Sequence, residues 1–226
     1  MKPAVLIGSS GNLGPIWHSQ LEIMGYEVFC MDVSLGYSVE KKLYFDLFDT
    51  EVLQGRTPDV VLYNAALDFP PSKGGFHKDF DRIVNVNLCG ANRAAEKFMP
   101  RMAKQGEGVF IFVGSIQGFI ASNYLNYPEG YRKPSGYGAS KAGGMNYIKN
   151  LANEYGVYGL RAVCMAYGAV DTPKLLQGEF RENYKKSLPL PQFVSESDLR
   201  ATLRYCIDCK SLTGETILVD NGYVIR

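Results

Sequence analysis

The stretch Pro3-Ala4-Val5-Leu6-Ile7-Gly8-Ser9-Ser10-Gly11-Asn12-Leu13-Gly14 decides the fold. Its first five residues form a short apolar run of the kind that makes a buried strand. Glycines follow at positions 8, 11 and 14, and then an amphipathic segment from Pro15 to Met24. Pro15 suits the first turn of a helix there, and Gly25 its end. Strand, glycine loop and helix in that order make the glycines informative. They let the backbone turn tightly and approach a pyrophosphate that rests on the helix N-terminus. Gly8, Ser10, Asn12, Leu13 and Gly14 are the candidate contacts. Glycine-rich turns also merely reverse a chain, so the remaining sequence has to decide.

Outward from the loop, Glu27 to Met31 is a second strand, ended by Asp32. An acidic residue roughly 20 residues beyond such a loop binds the adenosine ribose hydroxyls; the competing reading is a strand-end turn aspartate. A 2′-phosphate would meet this carboxylate, so NAD is expected over NADP, with Lys41 and Lys42 near enough in sequence to keep NADP open. Leu43 to Phe45 reads as a short strand before Asp46, and Thr50 to Gln54 as a short helix. Asp59 to Tyr63 is strand-like and leads into Asn64-Ala65-Ala66, where small residues permit close backbone approach. A long helical stretch, Phe76 to Lys104, carries Asn85 and Asn87 on its apolar face, and a buried asparagine must be hydrogen-bonded. Val109 to Val113 is a strand ending at Gly114-Ser115; Arg161 to Ala166 is another, followed by the loop Gly168 to Thr172. Ser195 to Ile207 is a helix with Ser195 as N-cap and Asp198 in its first turn, and Glu215 to Val219 closes the pattern.

This alternation predicts a single α/β domain over residues 1–226: a doubly wound, mainly parallel sheet with helices on both faces. Ligands of such sheets bind at the carboxyl ends of the strands. Gly8, Asp32, Asn64 and Ser115 all fall at such ends.

Tyr137-Gly138-Ala139-Ser140-Lys141 opens a predicted helix, Gly138 to Tyr158. The spacing puts Tyr137 and Lys141 on one helical face. A tyrosine keeps its proton to about pH 10. Bringing it to neutrality takes about 4 kcal/mol, an order of energy that an ammonium about 4 Å away can supply. The pair is therefore either a general acid/base or an ordinary surface pair. Serine, glycine loop and strand ends upstream favour the first.

With 24 basic and 23 acidic residues the net charge is +1, which gives no support to nucleic-acid binding through bulk electrostatics. No apolar run is long enough to span a bilayer, and a strand beginning beside Met1 leaves no room for a cleavable signal. The expectation is a cytoplasmic protein without membrane or nucleic-acid partners. Five cysteines, an odd number, read as reduced thiols; Cys206 and Cys209 have metal-type spacing, but no second pair completes a zinc site, and no metal is expected.

Taken together, these residues resemble the short-chain dehydrogenase/reductase family over nearly the whole chain. The resemblance implies a Rossmann-type fold and NAD(P)-dependent interconversion of a secondary alcohol and a ketone. It implies Ser115, Tyr137 and Lys141 as catalytic residues, with Asn87 (or Asn85 beside it) completing a proton path through a water. It places Asp46 and Leu47 at the adenine, Asn64, Ala65 and Ala66 beside the cofactor, and Gly168, Val170 and Thr172 at the nicotinamide. It also implies a homodimer or homotetramer assembled through the long helices. Asn12 stands where the commonest fingerprint has a glycine, and Tyr167 stands where the family has a proline. The interval between Ser115 and Tyr137 is longer than usual because of the aromatic loop Phe119 to Gly136. This loop and the chain's ending resemble, more weakly, small bacterial reductases of surface-sugar and flagellin modification.

Substrate loops are expected at about residues 119–136 and 174–193. Tyrosines there suit a sugar ring, and Arg132, Lys133, Lys174, Arg181, Lys185 and Lys186 suit a phosphate or carboxylate; equally, the cations are solvated surface. A sugar-like, phosphorylated or nucleotide-linked small molecule is the leading substrate. A lipid-like or aromatic ketone is the alternative, and a non-catalytic dinucleotide-binding regulator is the competing class.

Overall fold

The computed structural model describes residues 1–33, 53–68, 76–172 and 178–225. The expected strand at 43–45, Lys41, Lys42, Asp46, Leu47 and Lys174 lie outside the described residues, as does most of the expected helix at 50–54.

Among the described residues six strands form one sheet: β1 (Lys2–Ile7), β2 (Tyr26–Met31), β3 (Val60–Tyr63), β4 (Gly108–Ser115), β5 (Leu160–Tyr167) and β6 (Thr216–Val219). Their order is β2-β1-β3-β4-β5-β6, and every pairing is parallel. The helices are α1 (Gly14–Ile23), α2 (Phe76–Val84), α3 (Gly90–Gln105), α4 (Ser135–Tyr155), α5 (Gly178–Lys186) and α6 (Glu196–Asp208).

Alternate residues of each strand feed two separate cores, as a doubly wound sheet requires. Val5, Ile7, Val61, Tyr63, Phe110 and Phe112 meet Ala94 and Phe98 of α3 and Ile148 of α4 on one face. Ala4, Leu6, Leu62, Ile111 and Val163 meet Trp17 of α1 and Leu203 of α6 on the other. Helix α6 starts on the expected cap: Ser195 Oγ accepts from the Asp198 N–H at 3.2 Å, and Asp198 Oδ2 accepts from the Ser195 N–H at 2.8 Å. At its other end Arg161, reaching from β5, donates to the carbonyls of Cys206, Ile207, Cys209 and Leu212, which helps to satisfy the helix's C-terminal acceptors.

The long helical stretch expected at 76–104 is interrupted. A single π-turn, Asn85–Cys89, joins α2 to α3. Polar groups inside the fold account for it. Tyr63 donates its hydroxyl to the Val86 carbonyl at 2.5 Å, and Asn87 is fully buried with its amide turned toward the β3 end. Such turns concentrate at functional sites.

Candidate active site

The strand ends converge on one cavity of about 750 Å³. At its N-terminal side the glycine loop is packed to contact. Gly8 has φ +85°, and a β-carbon there would stand 2.5 Å from the Ala65 nitrogen. A β-carbon on Gly14 would stand 2.0 Å from the Ser9 carbonyl oxygen. Both positions therefore exclude a side chain, and the backbone itself forms the cavity floor. Asp32 Oδ2 accepts from the Ser10 N–H at 2.9 Å, tying the β2 end to the loop. Asn64 works behind it: its amide donates to the Gly8 carbonyl at 2.7 Å and accepts from the Trp17 indole at 3.0 Å. Asn64 thus holds the loop in shape while also lining the cavity.

At the opposite side β4 delivers Ser115 and the first turn of α4 delivers Tyr137 and Lys141. Ser115 Oγ accepts from the Gln117 N–H at 3.2 Å and is hydrogen-bonded to Tyr137. Lys141 is buried, donates from Nζ to the Val113 carbonyl at 2.7 Å, and lies 5.6 Å from the Tyr137 ring centre. Burial pushes Lys141 down to about 8, against the pull of the neighbouring Cys164 and Asp68. Burial pushes the Tyr137 hydroxyl well above its ordinary value; the negative charge of Asp68 adds to this and the Ser115 hydrogen bond opposes it. Lys141 is not among the groups that set the direction of this shift. One of the three ammonium donors goes to the Val113 carbonyl, and desolvation dominates the phenol.

Asn87 lies one layer below. Its amide accepts from the Leu67 N–H at 2.7 Å, and donates to the Leu67 carbonyl at 3.2 Å and to Ser140 Oγ at 3.0 Å. Both amide hydrogens are committed, so the side chain is a brace between the β3 end and α4, and any water path must use its backbone. Asn85 is not a substitute for it, since its side chain accepts from Arg93 at 2.6 Å.

The loop at 119–136 walls the cavity. Tyr127 stacks on Tyr131 at 4.6 Å and packs on Phe180 of α5 at 4.7 Å. Tyr184 stacks on Tyr223 at 4.6 Å, and Asn126 binds the Tyr223 hydroxyl at 2.8 Å. The residue at the proline position, Tyr167, is buried against Trp17 at 6.0 Å and lines the same space. Of the cations read as anion receivers, Lys133 is ion-paired with Asp68 at the cavity wall, Arg181 pairs with Asp171 at 2.7 Å, and Arg132 lies over the Tyr124 ring.

The chain's sequence matches the short chain dehydrogenase family over residues 27–183. It belongs to that family. An uncharacterized oxidoreductase of Schizosaccharomyces pombe is 28% identical over 239 residues, 96% of this chain and 89% of the relative. Among solved structures, a short chain dehydrogenase of Leptospira borgpetersenii with bound NAD+ superposes with TM-score 0.87 at 22% identity, over 99% of this chain and 92% of the other. A gluconate 5-dehydrogenase of Burkholderia cenocepacia, in complex with NADP and tartrate, does so with TM-score 0.83 at 19% identity, over 100% and 96%.

In this short chain dehydrogenase, Gly8, Ser10, Asn12, Leu13, Asp32, Asn64, Ala65, Ala66, Ser115, Tyr137, Lys141, Gly168 and Val170 line one cavity. Gly14 lies behind the loop. Asp46 and Leu47 lie outside the described residues. Thr172 Oγ1 is buried without a hydrogen-bond partner among the described residues. Thr172 and Gly14 are not among the residues that line the cavity, whereas the bare backbone at Gly8 is and fits a bound dinucleotide. Gln117, Asp68, Asn126, Tyr184 and Tyr223 also line the cavity, although no sequence motif pointed to them. No cluster of metal-ligating residues occurs among the described residues, and no described helix is long and apolar enough to cross a membrane.

Proposed function

We propose that the chain is an NAD(P)-dependent oxidoreductase that interconverts a secondary alcohol and a ketone. The observation that carries this reading is the meeting of Ser115, Tyr137 and Lys141 in the cavity whose other end is the glycine loop. The dinucleotide, when bound, supplies or accepts the hydride. The chain's own residues handle the proton and the geometry. Ser115, oriented by the Gln117 N–H, donates a hydrogen bond to the carbonyl oxygen of the substrate. Tyr137, held protonated by its surroundings, gives that oxygen its proton in reduction and takes it back in oxidation. Lys141 carries a positive charge below about pH 8 and serves as the ribose anchor. Asn87 holds the β3 end and α4 in register.

NAD is the favoured cofactor, because the Asp32 carboxylate stands where a 2′-phosphate would be repelled. Both NAD+ and NADP occur among the structural neighbours, so the preference rests on Asp32. The aromatic wall of Tyr127, Phe180, Tyr184 and Tyr223, with the amides of Gln117, Asn123 and Asn126 between, supports a hydroxylated, sugar-like substrate. The ion pairing of Lys133 and Arg181 weakens the case for a phosphorylated one. The test is nicotinamide absorbance with NAD and NADP against a panel of polyols, sugars, hydroxy acids and apolar ketones. Turnover confined to apolar ketones would overturn the substrate reading, and failure across the panel would overturn the enzymatic one.

A further inference from the structure

Tyr137 lies near two ammonium groups. Besides Lys141, the Nζ of Lys133 stands 4.9 Å from its ring centre, inside cation–π range. Lys133 is also ion-paired with Asp68, and the two side chains are only 16% and 32% exposed. Both ends of this pair are pinned. Pro134 directly follows Lys133, with φ −65°, and a residue before proline is confined to extended conformations. Asp68 directly follows Leu67, whose N–H and carbonyl are both held by the buried Asn87 amide. The brace beneath the site and the long loop before Tyr137 therefore meet at one ion pair over the reacting ring.

We propose that the Lys133–Asp68 pair is a charge-balanced clamp that seats Tyr137 and sets how readily it gives up its proton, with Lys133 a positioning residue for the reaction. This rests on the reading of Tyr137 as the general acid/base. When the phenol ionises, negative charge spreads into the ring, where the Lys133 ammonium stabilises it and the Asp68 carboxylate opposes it. Paired, the ammonium offsets part of the Asp68 charge, which still raises the phenol; either one alone would act in full. The other groups facing Tyr137 are Ser115 from the β4 end and Lys141 on its own helix, with Cys164 of β5 behind the lysine. Arg82 of α2 lines the same cavity, and Tyr127 and Tyr131 lie within the field of Asp68. Asp68 also raises Lys141, Tyr127 and Tyr131, so only the Lys133 variants leave the carboxylate that these groups feel in place.

The test is the pH profile of kcat/KM for alcohol oxidation by the full chain and the variants Lys133→Met, Asp68→Asn, Lys133→Met/Asp68→Asn and Lys133→Arg. Lys133→Met leaves Asp68 uncompensated and should move the midpoint of the rising limb up by about one pH unit. Asp68→Asn leaves the ammonium uncompensated and should move it down by about the same amount. The double variant should fall between the two single variants, and Lys133→Arg should stay at the wild-type midpoint. A residue pair that merely stabilised the loop would lower activity in both single variants without moving either midpoint, and that result would overturn the proposal. If Asp68→Asn does not fold, Lys133→Met against Lys133→Arg carries the same test, since only the first should shift. Tyr137→Phe separates the two failures. An active Tyr137→Phe removes the acid/base reading itself, whereas an inactive one beside unshifted pair variants removes only the clamp.

Discussion

Replacing Lys141 with Met should make the protein more stable at neutral pH while removing its activity. Lys141 is 2% exposed and has a carbonyl, not a carboxylate, as its hydrogen-bond partner. Burial pushes it from 10.5 to about 8. At ~1.4 kcal/mol per tenfold change in proton affinity, holding it charged at pH 7 costs the folded state about 3 kcal/mol. Met fills a similar volume without a charge, but strips the Val113 carbonyl of its donor, a loss of about 1–2 kcal/mol. The net gain is about 1–2 kcal/mol, or roughly 2–8 °C in Tm for a chain of this length. The sign follows from linkage. Between about 8 and 10.5 the unfolded chain binds more protons at this site than the folded chain, so the wild type gains stability as pH rises. The variant's advantage should therefore be full below pH 8 and shrink by about 2 kcal/mol by about pH 9.5. Urea unfolding of both proteins at two pH values reads this directly. A variant less stable than wild type at pH 7, by a margin unchanged near pH 9.5, would refute the reasoning.

Two further substitutions test the cofactor side. Gly14→Ala places a β-carbon 2.0 Å from the Ser9 carbonyl oxygen, where only backbone can give way. It should cost about 1–3 kcal/mol of stability and weaken dinucleotide binding by at least ~10-fold, about 1.4 kcal/mol, in a calorimetric titration. Asp32→Asn removes the negative charge and keeps an acceptor for the Ser10 N–H. The ratio of NAD to NADP affinity should fall ~10-fold or more, and an unchanged ratio would take the ribose role away from Asp32.

Much of this molecule is legible in its sequence because buried parallel strands announce themselves as short apolar runs, each ending on small or polar residues. Gly8, Asp32, Asn64 and Ser115 fall at strand ends in the sequence and around one cavity in the structure. Ser195 and Asp198 form the capping box their spacing requires. What could not be read depends on distant partners. Asn87 and Asn85 look alike on one helix face, yet only the first braces the β3 end, and their π-turn is set by partners on β3 and in the loop after it. A helical spacing shows the lysine near Tyr137 but not the desolvation around its ring. Lys133 was visible as a cation in an aromatic loop. Its partner Asp68 lies 65 residues away in the chain, beyond the reach of any local pattern.

The most direct measurement of the central claim pairs binding and turnover in Tyr137→Phe. The phenylalanine keeps the ring and removes only the hydroxyl that Ser115 contacts. Dinucleotide affinity, read by calorimetry, should be retained, while turnover on a substrate of the wild type should fall by at least ~10²-fold. Turnover undiminished in that variant would contradict the assignment of the reaction's proton to Tyr137.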